Sequence, residues 1–353
     1  MNHRSCLRWL LVLVFIVLLT PVFSVTTQSG VFAQPETTSV IIDTDMAVDD
    51  WMAILYLLQR TDVDVLAVTV AGTGEAHCDP GVRNALNLLM LAGNPDIPVA
   101  CGRETPLQGE NTFPLEWRDM VDAMNGLQLP ENPNTADTGN AVDLLRQTLQ
   151  AAERPVRLVA LGPLTNIAEL LDAEPDLVGQ IEMLVVMGGA VDVPGNLQGG
   201  MRTDNAAAEW NIYVDPQAAA LVIASGVPIT LIPLDATNHA PLTLDFFTAV
   251  SGDRATPEAE FLYQILYKQI GFVGSGYWFF WDPLAAVAAT DERVVTIEDR
   301  TLSVITADGD ELGRTLSDEN GYPVRVAVDA DVSLLEQLLL DVLNGRDSAQ
   351  TTD

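Results

Sequence analysis

The sequence predicts an α/β fold: an open, mostly parallel sheet flanked by helices. Short β-branched runs alternate with longer segments of helical periodicity over most of the chain, and this order is typical of parallel sheets with both faces covered. No internal repeat, low-complexity tract or clear linker interrupts the pattern. With 353 residues, 48% of them hydrophobic and 19% charged, the chain has a globular composition.

The regular part of the pattern runs from Ser39 to Ile232, and each element follows from its local sequence. The predicted strands are Ser39–Asp43, Val63–Val70, Ile97–Cys101, Val156–Leu161, Met183–Met187 and Pro228–Ile232. The predicted helices are Asp50–Gln59, Pro80–Ala92, Ala141–Ala152, Thr165–Asp172 and Pro216–Ser225. Proline opens two of these helices, at the position where a helix tolerates it.

Two segments lack this regularity. Residues Gly102–Gly139 are rich in Pro, Asn and Gly and are predicted to form a long excursion, and Gly188–Glu209 is predicted to be a loop. Beyond Glu258 the pattern indicates a helix, the aromatic run Tyr277–Trp281, another helical stretch, strands at Val294–Ile297 and Thr301–Thr306, and a final helix at Ser333–Asn344. We interpret residues 34–353 as one domain.

The first 33 residues differ from the rest. They contain no Asp or Glu, and Arg4 and Arg8 lead into the apolar run Trp9–Phe23. This pattern is typical of a secretory signal peptide, with cleavage expected after Ala33 and a secreted or extracytoplasmic product. The alternative is an uncleaved N-terminal membrane anchor, although the run of about 15 residues is shorter than the ~20 that a span needs.

The charge balance excludes some partners. With 17 Lys and Arg against 49 Asp and Glu, the formal charge is −32, so binding to nucleic acid or to an anionic membrane through a basic patch is not expected. Small polar substrates and divalent cations are compatible with this negative charge. Only Cys78 and Cys101 would survive cleavage. They are too few for a disulfide scaffold, and whether they pair is left open.

Four carboxylates follow the first predicted strand within eight residues: Asp43, Asp45, Asp49 and Asp50. Ligands in parallel sheets bind beyond the carboxyl ends of the strands. Carboxylates this close repel each other unless a cation neutralises them, and hard oxygen ligands suit Ca²⁺ or Mg²⁺. Attraction to a helix dipole alone would account for Asp49 and Asp50 only.

Two other functions use similar features. A Mg²⁺-dependent phosphohydrolase of the haloacid dehalogenase type begins with a strand ending in Asp-x-Asp, but the Thr or Val expected one residue later is missing here. That type also leaves the pair Asp49-Asp50 unexplained. The other alternative is a noncatalytic protein that binds nucleosides or ribose.

The acidic pattern resembles the opening signature of the nucleoside hydrolase family. That signature, IIDTDMAVDDWMAI, is followed in the family's order by Leu66–Thr69 with a glycine-rich loop, Arg83-Asn84-Ala85, GPLTNIA (162–168), MGGA (187–190), EWNIYVDPQAA (209–219) and WDPLAAV (281–287). The resemblance covers nearly all of 39–344 and implies the family's Rossmann-like fold. It also implies hydrolysis of the N-glycosidic bond of ribonucleosides with Ca²⁺ as cofactor, and often a dimer or tetramer.

The resemblance assigns roles to individual residues. It implies Ca²⁺ ligation by the carboxylates of Asp45, Asp50 and Asp282 and by the backbone carbonyl of Thr165. Asp45 is also the implied general base, which must lie within hydrogen-bond reach of the attacking water.

Further residues are expected to bind ribose. These are Asp49, with Asp43 in support, and Glu209 and Asn211, which would face one side of an extended segment. The position of an upstream ribose-binding asparagine is not fixed by spacing. Asn205 is our choice and Asn196 the alternative.

The sequence departs from the family's pattern at two places that bear on the substrate. Where many members that prefer inosine and uridine have a histidine, this chain has Trp281, as does the inosine-adenosine-guanosine-preferring branch. Indole cannot serve as an acid but can stack on a purine, so purine nucleosides are expected, with Trp117 as a candidate second wall.

The second departure is the loop GTGEAHC (72–78), which replaces a Gly-Asn pair. Either Glu75 or Thr73 is expected to take the role of the missing asparagine as a substrate contact. His77 and His239 are candidate alternative acids, and Asn238 is another candidate contact.

Overall fold

A mixed sheet runs through the part of the chain that the computed structural model describes, which is residues 37–137, 139–200 and 204–346. Its strands are β1 Thr38–Thr44, β2 Val63–Val70, β3 Val99–Cys101, β4 Val156–Ala160, β5 Ile181–Met187, β6 Ile229–Ile232, β7 Val295–Val304, β8 Thr315–Ser317 and β9 Tyr322–Ala330. Their spatial order is β3-β2-β1-β4-β5-β6-β9-β7-β8. The first six strands and β9 are parallel, whereas β7 pairs antiparallel with β9 and β8.

Helices connect and cover these strands. They are α1 Val48–Gln59, α2 Cys78–Leu91, α3 Leu115–Asp122, α4 Ala141–Ala151, α5 Thr165–Ala173, α6 Trp210–Val214, α7 Pro216–Ala224, α8 Leu234–Thr237, α9 Leu244–Gly252, α10 Pro257–Lys268, α11 Ile270–Val273, α12 Trp281–Ala288 and α13 Val332–Leu343. Side chains cap several of them, including Asn140 on α4 and Asp215 on α7. Among the described residues, no helix is both long enough and apolar enough to span a membrane.

Both faces of the sheet are buried, as β1 illustrates. Val40 and Ile42 pack into the core on the face covered by α1, α2, α12 and α13, whereas Ile41 packs against α4, α5 and α7 on the other face. All three are fully shielded from solvent. Because successive side chains of a strand alternate between faces, a strand buried on both must be apolar throughout. The predicted fold class, an open and mostly parallel sheet flanked by helices, is confirmed.

The C-terminal part of the predicted pattern is wrong in detail. Val294–Ile297 and Thr301–Thr306 were expected to be separate strands, but they form the continuous strand β7. Its partner β9 was not predicted, although it joins the parallel and antiparallel parts of the sheet. Helix α3 also lies within the segment expected to be an irregular excursion.

The carboxyl ends of β1, β2, β4, β5 and β6 meet at one edge, and their following loops carry most of the polar residues singled out above. A disulfide between Cys78 and Cys101, with Cα atoms 5.5 Å apart, ties the start of α2 to the end of β3 at this edge. The pairing left open by the sequence is therefore present in the structure. All the described residues belong to one compact unit that begins at Thr37, and the expected leader at 1–33 lies outside them.

Candidate active site

A cavity of about 860 Å³ opens at this edge of the sheet. Its lining includes five carboxylate side chains, from Asp45, Asp49, Glu75, Glu209 and Asp282. Eight aromatic side chains share the lining: Phe113, Trp117, Trp210, Phe272, Tyr277, Trp278, Phe279 and Trp281. Among the described residues, neither Lys, Arg nor His contributes to it. The cavity therefore combines a strongly acidic surface with aromatic walls.

The turn between β1 and α1 presents most of the carboxylates. Met46 adopts a left-handed conformation with φ of 59°, which is unfavourable for a side-chain-bearing residue by about 1–2 kcal/mol. Local hydrogen bonds hold the turn: Trp51 Nε1 donates to the Met46 carbonyl at 2.9 Å, and the Met46 N–H donates to Thr44 Oγ1 at 2.9 Å. The Thr44 hydroxyl in turn donates to Asp50. The chain reverses tightly here, so α1 begins beside the end of β1.

Asp45 is enclosed by backbone from two neighbouring loops. A Cβ atom on Gly74 would lie 2.0 Å from Asp45 Cβ, and one on Gly162 would lie 2.6 Å from it. Glycine is therefore needed at both positions for the backbone to approach so closely. The Glu75 N–H donates to Asp45 Oδ2 at 3.1 Å. The carboxylate of Asp45 is thus held at the cavity wall.

Asp49, Asp50 and Asp282 each offer a carboxylate oxygen within 4.8 Å of the other two. Asp50 Oδ2 and Asp282 Oδ1 are buried and have no hydrogen-bond partner. Such orphaned oxygens are costly unless something else binds them. The sequence grouped Asp45, rather than Asp49, with Asp50 and Asp282. The structure brings all four together, with Asp49 completing the tightest group.

The electrostatics of this group are unfavourable without a cation. Burial raises the pKa of Asp49 to about 6 and that of Asp50 to about 7. Burial, reinforced by the neighbouring aspartates, raises the pKa values of Asp45 and Asp282 well above their usual range. A bound divalent cation would reverse these shifts, because it favours the ionised form of every carboxylate around it.

Carboxylates outside this group have raised pKa values as well. Burial raises the pKa of Asp43 to about 6, opposed by hydrogen bonds from Thr69 and Asn166 to Oδ1 at 2.6 and 2.8 Å. The pKa of Glu75 is raised well above its usual range by burial and then by Asp45 and Asp49. Asp43 is therefore held behind the cavity wall by Thr69 and Asn166, whereas Glu75 lines the cavity itself.

Glu209 and Asn211 do not lie on an extended segment as expected, because Glu209 is the N-cap of the short helix α6. Its carboxylate accepts from the backbone N–H groups of Gly189, Asn211 and Ile212 at 2.9–3.2 Å. Asn211 Nδ2 donates to the carbonyls of Leu161 and Met187, at the ends of β4 and β5. Both residues nevertheless line the cavity.

For two candidate contacts the sequence left a pair of alternatives, Asn205 or Asn196 and Glu75 or Thr73, and only one residue of each pair lines the cavity. Asn196 lines the cavity, whereas Asn205 is fully buried outside the lining, donates to the Leu312 carbonyl and accepts from two backbone N–H groups. The position of the two side chains therefore favours Asn196 over Asn205 as the candidate ribose contact. Glu75 lines the cavity and Thr73 does not.

The remaining expected residues are also located. Trp281, Trp117 and Asn238 line the cavity. His77 and His239 do not: their Nδ1 atoms lie 2.6 Å from the carboxylates of Asp122 and Asp329. Neither histidine is placed to act on a ligand in the cavity.

Comparison with known proteins decides the family. The family model described as inosine-uridine preferring nucleoside hydrolase matches residues 40–337. The chain belongs to this family. It is accordingly an N-glycosidic bond hydrolase of the ribonucleoside hydrolase type, and the phosphohydrolase and noncatalytic alternatives find no support.

Individual relatives of this nucleoside hydrolase differ in their described preference. The pyrimidine-specific ribonucleoside hydrolase RihA of Salmonella schwarzengrund (strain CVM19633) is 35% identical over 289 residues, which cover 79% of this chain and 88% of the relative. The crystal structure of the inosine-uridine preferring nucleoside hydrolase from Bacillus anthracis matches with a TM-score of 0.77 and 26% identity, over 88% of this chain and 100% of the other. The purine-preferring ribonucleoside hydrolase from Gardnerella vaginalis matches with a TM-score of 0.74 and 28% identity, over 88% and 99%.

Sequence reasoning about this nucleoside hydrolase missed residues that act through long-range contacts. Arg118 on α3 is buried, and its guanidinium donates to the carbonyls of Gly72, Glu75 and Ala76 at 3.1–3.3 Å. It thereby shapes the loop that carries Glu75. No local signal marks this arginine, because its partners lie more than 40 residues away. Asn166, which binds Asp43, lies within a quoted motif but was given no role.

Proposed function

We propose that this nucleoside hydrolase is a Ca²⁺-dependent enzyme that prefers purine ribonucleosides and releases ribose and free base. The observation that carries the proposal is the shared cavity, in which a cluster of carboxylates with orphaned oxygens adjoins aromatic walls. The carboxylates suit a hard cation and a sugar, and the aromatic rings suit a flat base.

The donor set fits calcium. Every side-chain donor in the group is a carboxylate oxygen, and Cys and His are absent from the described lining, which argues against zinc. We propose Asp45, Asp50, Asp282 and the Thr165 carbonyl as ligands, with Asp49 left to bind ribose hydroxyls. When bound by these residues, calcium would supply positive charge that acidifies the attacking water and orients the sugar.

Side chains of the protein are proposed to carry out proton transfer, ribose binding and stabilisation of the developing charge. Asp45, fixed by the Glu75 N–H and two glycines, takes the proton from the attacking water as general base. Glu209, Asn211 and Asn196, which line the cavity, are the proposed remaining ribose contacts, and Glu75 is a further proposed substrate contact. The surrounding carboxylates favour the positive charge that develops on the sugar as the glycosidic bond breaks.

The preference for purines rests on Trp281. Its Nε1 is buried without a partner, whereas the residue lines the cavity and is half-buried. The polar atom of the indole therefore does not face the cavity, which favours stacking over a hydrogen bond from this side chain. No histidine lines the described part of the cavity to protonate the base, so a base that stacks well is favoured as leaving group.

Export and self-association belong to the same proposal. The Cys78–Cys101 disulfide supports an oxidising compartment, in keeping with the expected signal peptide.

A homodimer or homotetramer is expected from the family resemblance, and size-exclusion chromatography with light scattering measures the oligomeric state. A monomeric mass would contradict the expectation.

Turnover of a panel of nucleosides tests the proposed specificity. Purified protein in CaCl₂ is given inosine, adenosine, guanosine, uridine or cytidine, and kcat/KM is measured from the release of reducing sugar and free base. The proposal expects higher kcat/KM for the purine nucleosides. Higher values for uridine or cytidine would overturn the purine preference, and failure to cleave any of the five would overturn the proposed activity.

A further inference from the structure

A buried hydrogen-bond network reaches the proposed calcium site from outside the cavity. Thr165 Oγ1 donates to Asp215 Oδ2 at 2.8 Å and lies 3.0 Å from Thr73 Oγ1. Thr165 and Asp215 are fully shielded from solvent and Thr73 is buried, and none of the three lines the cavity. The network therefore acts on the substrate only through the groups that it holds in place.

The two oxygens of Asp215 serve different partners. Oδ1 accepts from the Ala218 N–H at 3.1 Å and caps α7. Oδ2 accepts from the Thr165 hydroxyl and from the Leu107 N–H, both at 2.8 Å. Capping needs only one oxygen, and a serine or threonine would provide it without burying a carboxylate. The second oxygen thus connects α5 to the segment that follows β3.

The hydroxyl of Thr165 is engaged by these neighbours, and its backbone carbonyl is the group proposed above as a calcium ligand. Thr165 is the first residue of α5, and the next residue, Asn166, is anchored to Asp43. The start of α5 is thereby tied to two buried carboxylates, those of Asp215 and Asp43.

We propose that Asp215 is a positioning residue that sets the main chain of Thr165 for calcium binding. The inference rests on the proposed calcium site and adds to it a residue that is not itself a ligand. Through Thr165 and Thr73, Asp215 also links the calcium site to the loop that carries Glu75.

Calcium binding by two single variants and their double variant tests this assignment. Thr165→Val removes the hydroxyl but keeps the shape, the carbonyl and the cap on α7. Asp215→Ser keeps a capping oxygen but is too short to reach Thr165. We expect each to raise the calcium Kd about tenfold, as is usual when a partner of a metal ligand is lost. Because both remove the bond between Thr165 and Asp215, the double variant should lose less calcium affinity than the sum of the two single losses.

The measurement is isothermal titration calorimetry of the chelator-treated full chain with CaCl₂. The value of kcat for inosine at saturating calcium should change little in Asp215→Ser, since Asp215 does not line the cavity. Asp235→Ser is the matched control: Asp235 is a buried carboxylate at the same sheet edge, it accepts from the Val191 and Asp192 N–H groups at 2.8 Å, and it has no bond to Thr165. Its calcium affinity should match the wild type.

The outcomes separate the two proposals. A wild-type protein that binds no calcium contradicts the proposed calcium site. A wild type that binds calcium, with an unchanged Kd in Thr165→Val, overturns the role of Asp215. Additive losses in the double variant, or an equal loss in Asp235→Ser, overturn it as well. If Asp215→Ser does not fold, Thr165→Val and Asp235→Ser still decide the question.

Discussion

The backbone N–H of Glu75 donates a hydrogen bond of 3.1 Å to Oδ2 of Asp45, so the loop after β2 holds the carboxylate that follows β1. That loop is itself fixed by the Arg118 guanidinium, which binds three of its carbonyls. The proposed general base therefore depends on a neighbouring loop, and changes in either partner should affect catalysis.

Gly74→Ala should displace Asp45, because the added Cβ would lie 2.0 Å from Asp45 Cβ and 2.4 Å from its Oδ2. Overpacking of this kind destabilises a protein by about 1–3 kcal/mol, and we expect kcat to fall about 100-fold as the base moves. Denaturant unfolding and steady-state kinetics measure both. Gly252→Ala, where an added Cβ meets nothing within 4 Å, is the control. Wild-type kinetics in Gly74→Ala would contradict the tight enclosure.

Asp45→Asn should lower kcat by about 10²–10⁴-fold even at saturating calcium, since asparagine keeps the shape but cannot accept the proton. Asp49→Asn provides the comparison, because loss of a ribose contact should raise KM more than it lowers kcat. Both variants are assayed with inosine over a range of calcium concentrations. If Asp45→Asn keeps the wild-type kcat, the base lies elsewhere.

Calcium should stabilise the protein more at pH 8 than at pH 5. Without metal, burial raises the pKa of Asp50 to about 7 and that of Asp49 to about 6, from an ordinary value of 3.8. At these two groups the folded state binds more protons than the unfolded state, so their contribution to stability is fully present below about pH 4 and is lost as the pH rises to about 7. Bound calcium offsets this loss. Thermal unfolding with chelator and with CaCl₂ gives the shift in Tm, and an equal shift at both pH values would contradict the assignment.

Trp281→Ala should reduce kcat/KM for inosine by about tenfold or more, because stacking on an aromatic side chain contributes about 1–3 kcal/mol per base. The loss for uridine should be smaller, since a pyrimidine ring offers less area to the indole. Each nucleoside serves as the control for the other. Equal losses for inosine and uridine would show that Trp281 only packs the cavity wall.

The strands and helices near the site were predictable, and parts of the periphery were not. β1, α1 and β2 consist of buried apolar runs whose pattern is set by local sequence. β9 alternates instead, with Arg325 and Asp329 among its apolar residues, and begins next to a proline. Its place between β6 and β7 depends on partners about 20 or more residues away. α3 is short and is held by Arg118, whose bonds no local pattern reveals.

The carboxylates that the structure brings together were predictable where a motif adjoins a well-defined strand or helix. Asp45, Asp50 and Asp282 are adjacent to elements that the sequence defines well. The choice between Asn205 and Asn196 was not, because both lie in one irregular loop and only the fold decides which faces the cavity. Glu209 was expected on an extended segment, but its carboxylate competes for backbone N–H groups and starts a helix instead.

Reversible calcium dependence of inosine cleavage tests the central claim most directly. The protein is treated with chelator, assayed for ribose and hypoxanthine, and assayed again after CaCl₂ is restored. We expect equimolar ribose and hypoxanthine from the untreated enzyme, almost none after chelation, and recovery when calcium returns. Unchanged release in the presence of chelator, or no release under any of these conditions, would contradict the account.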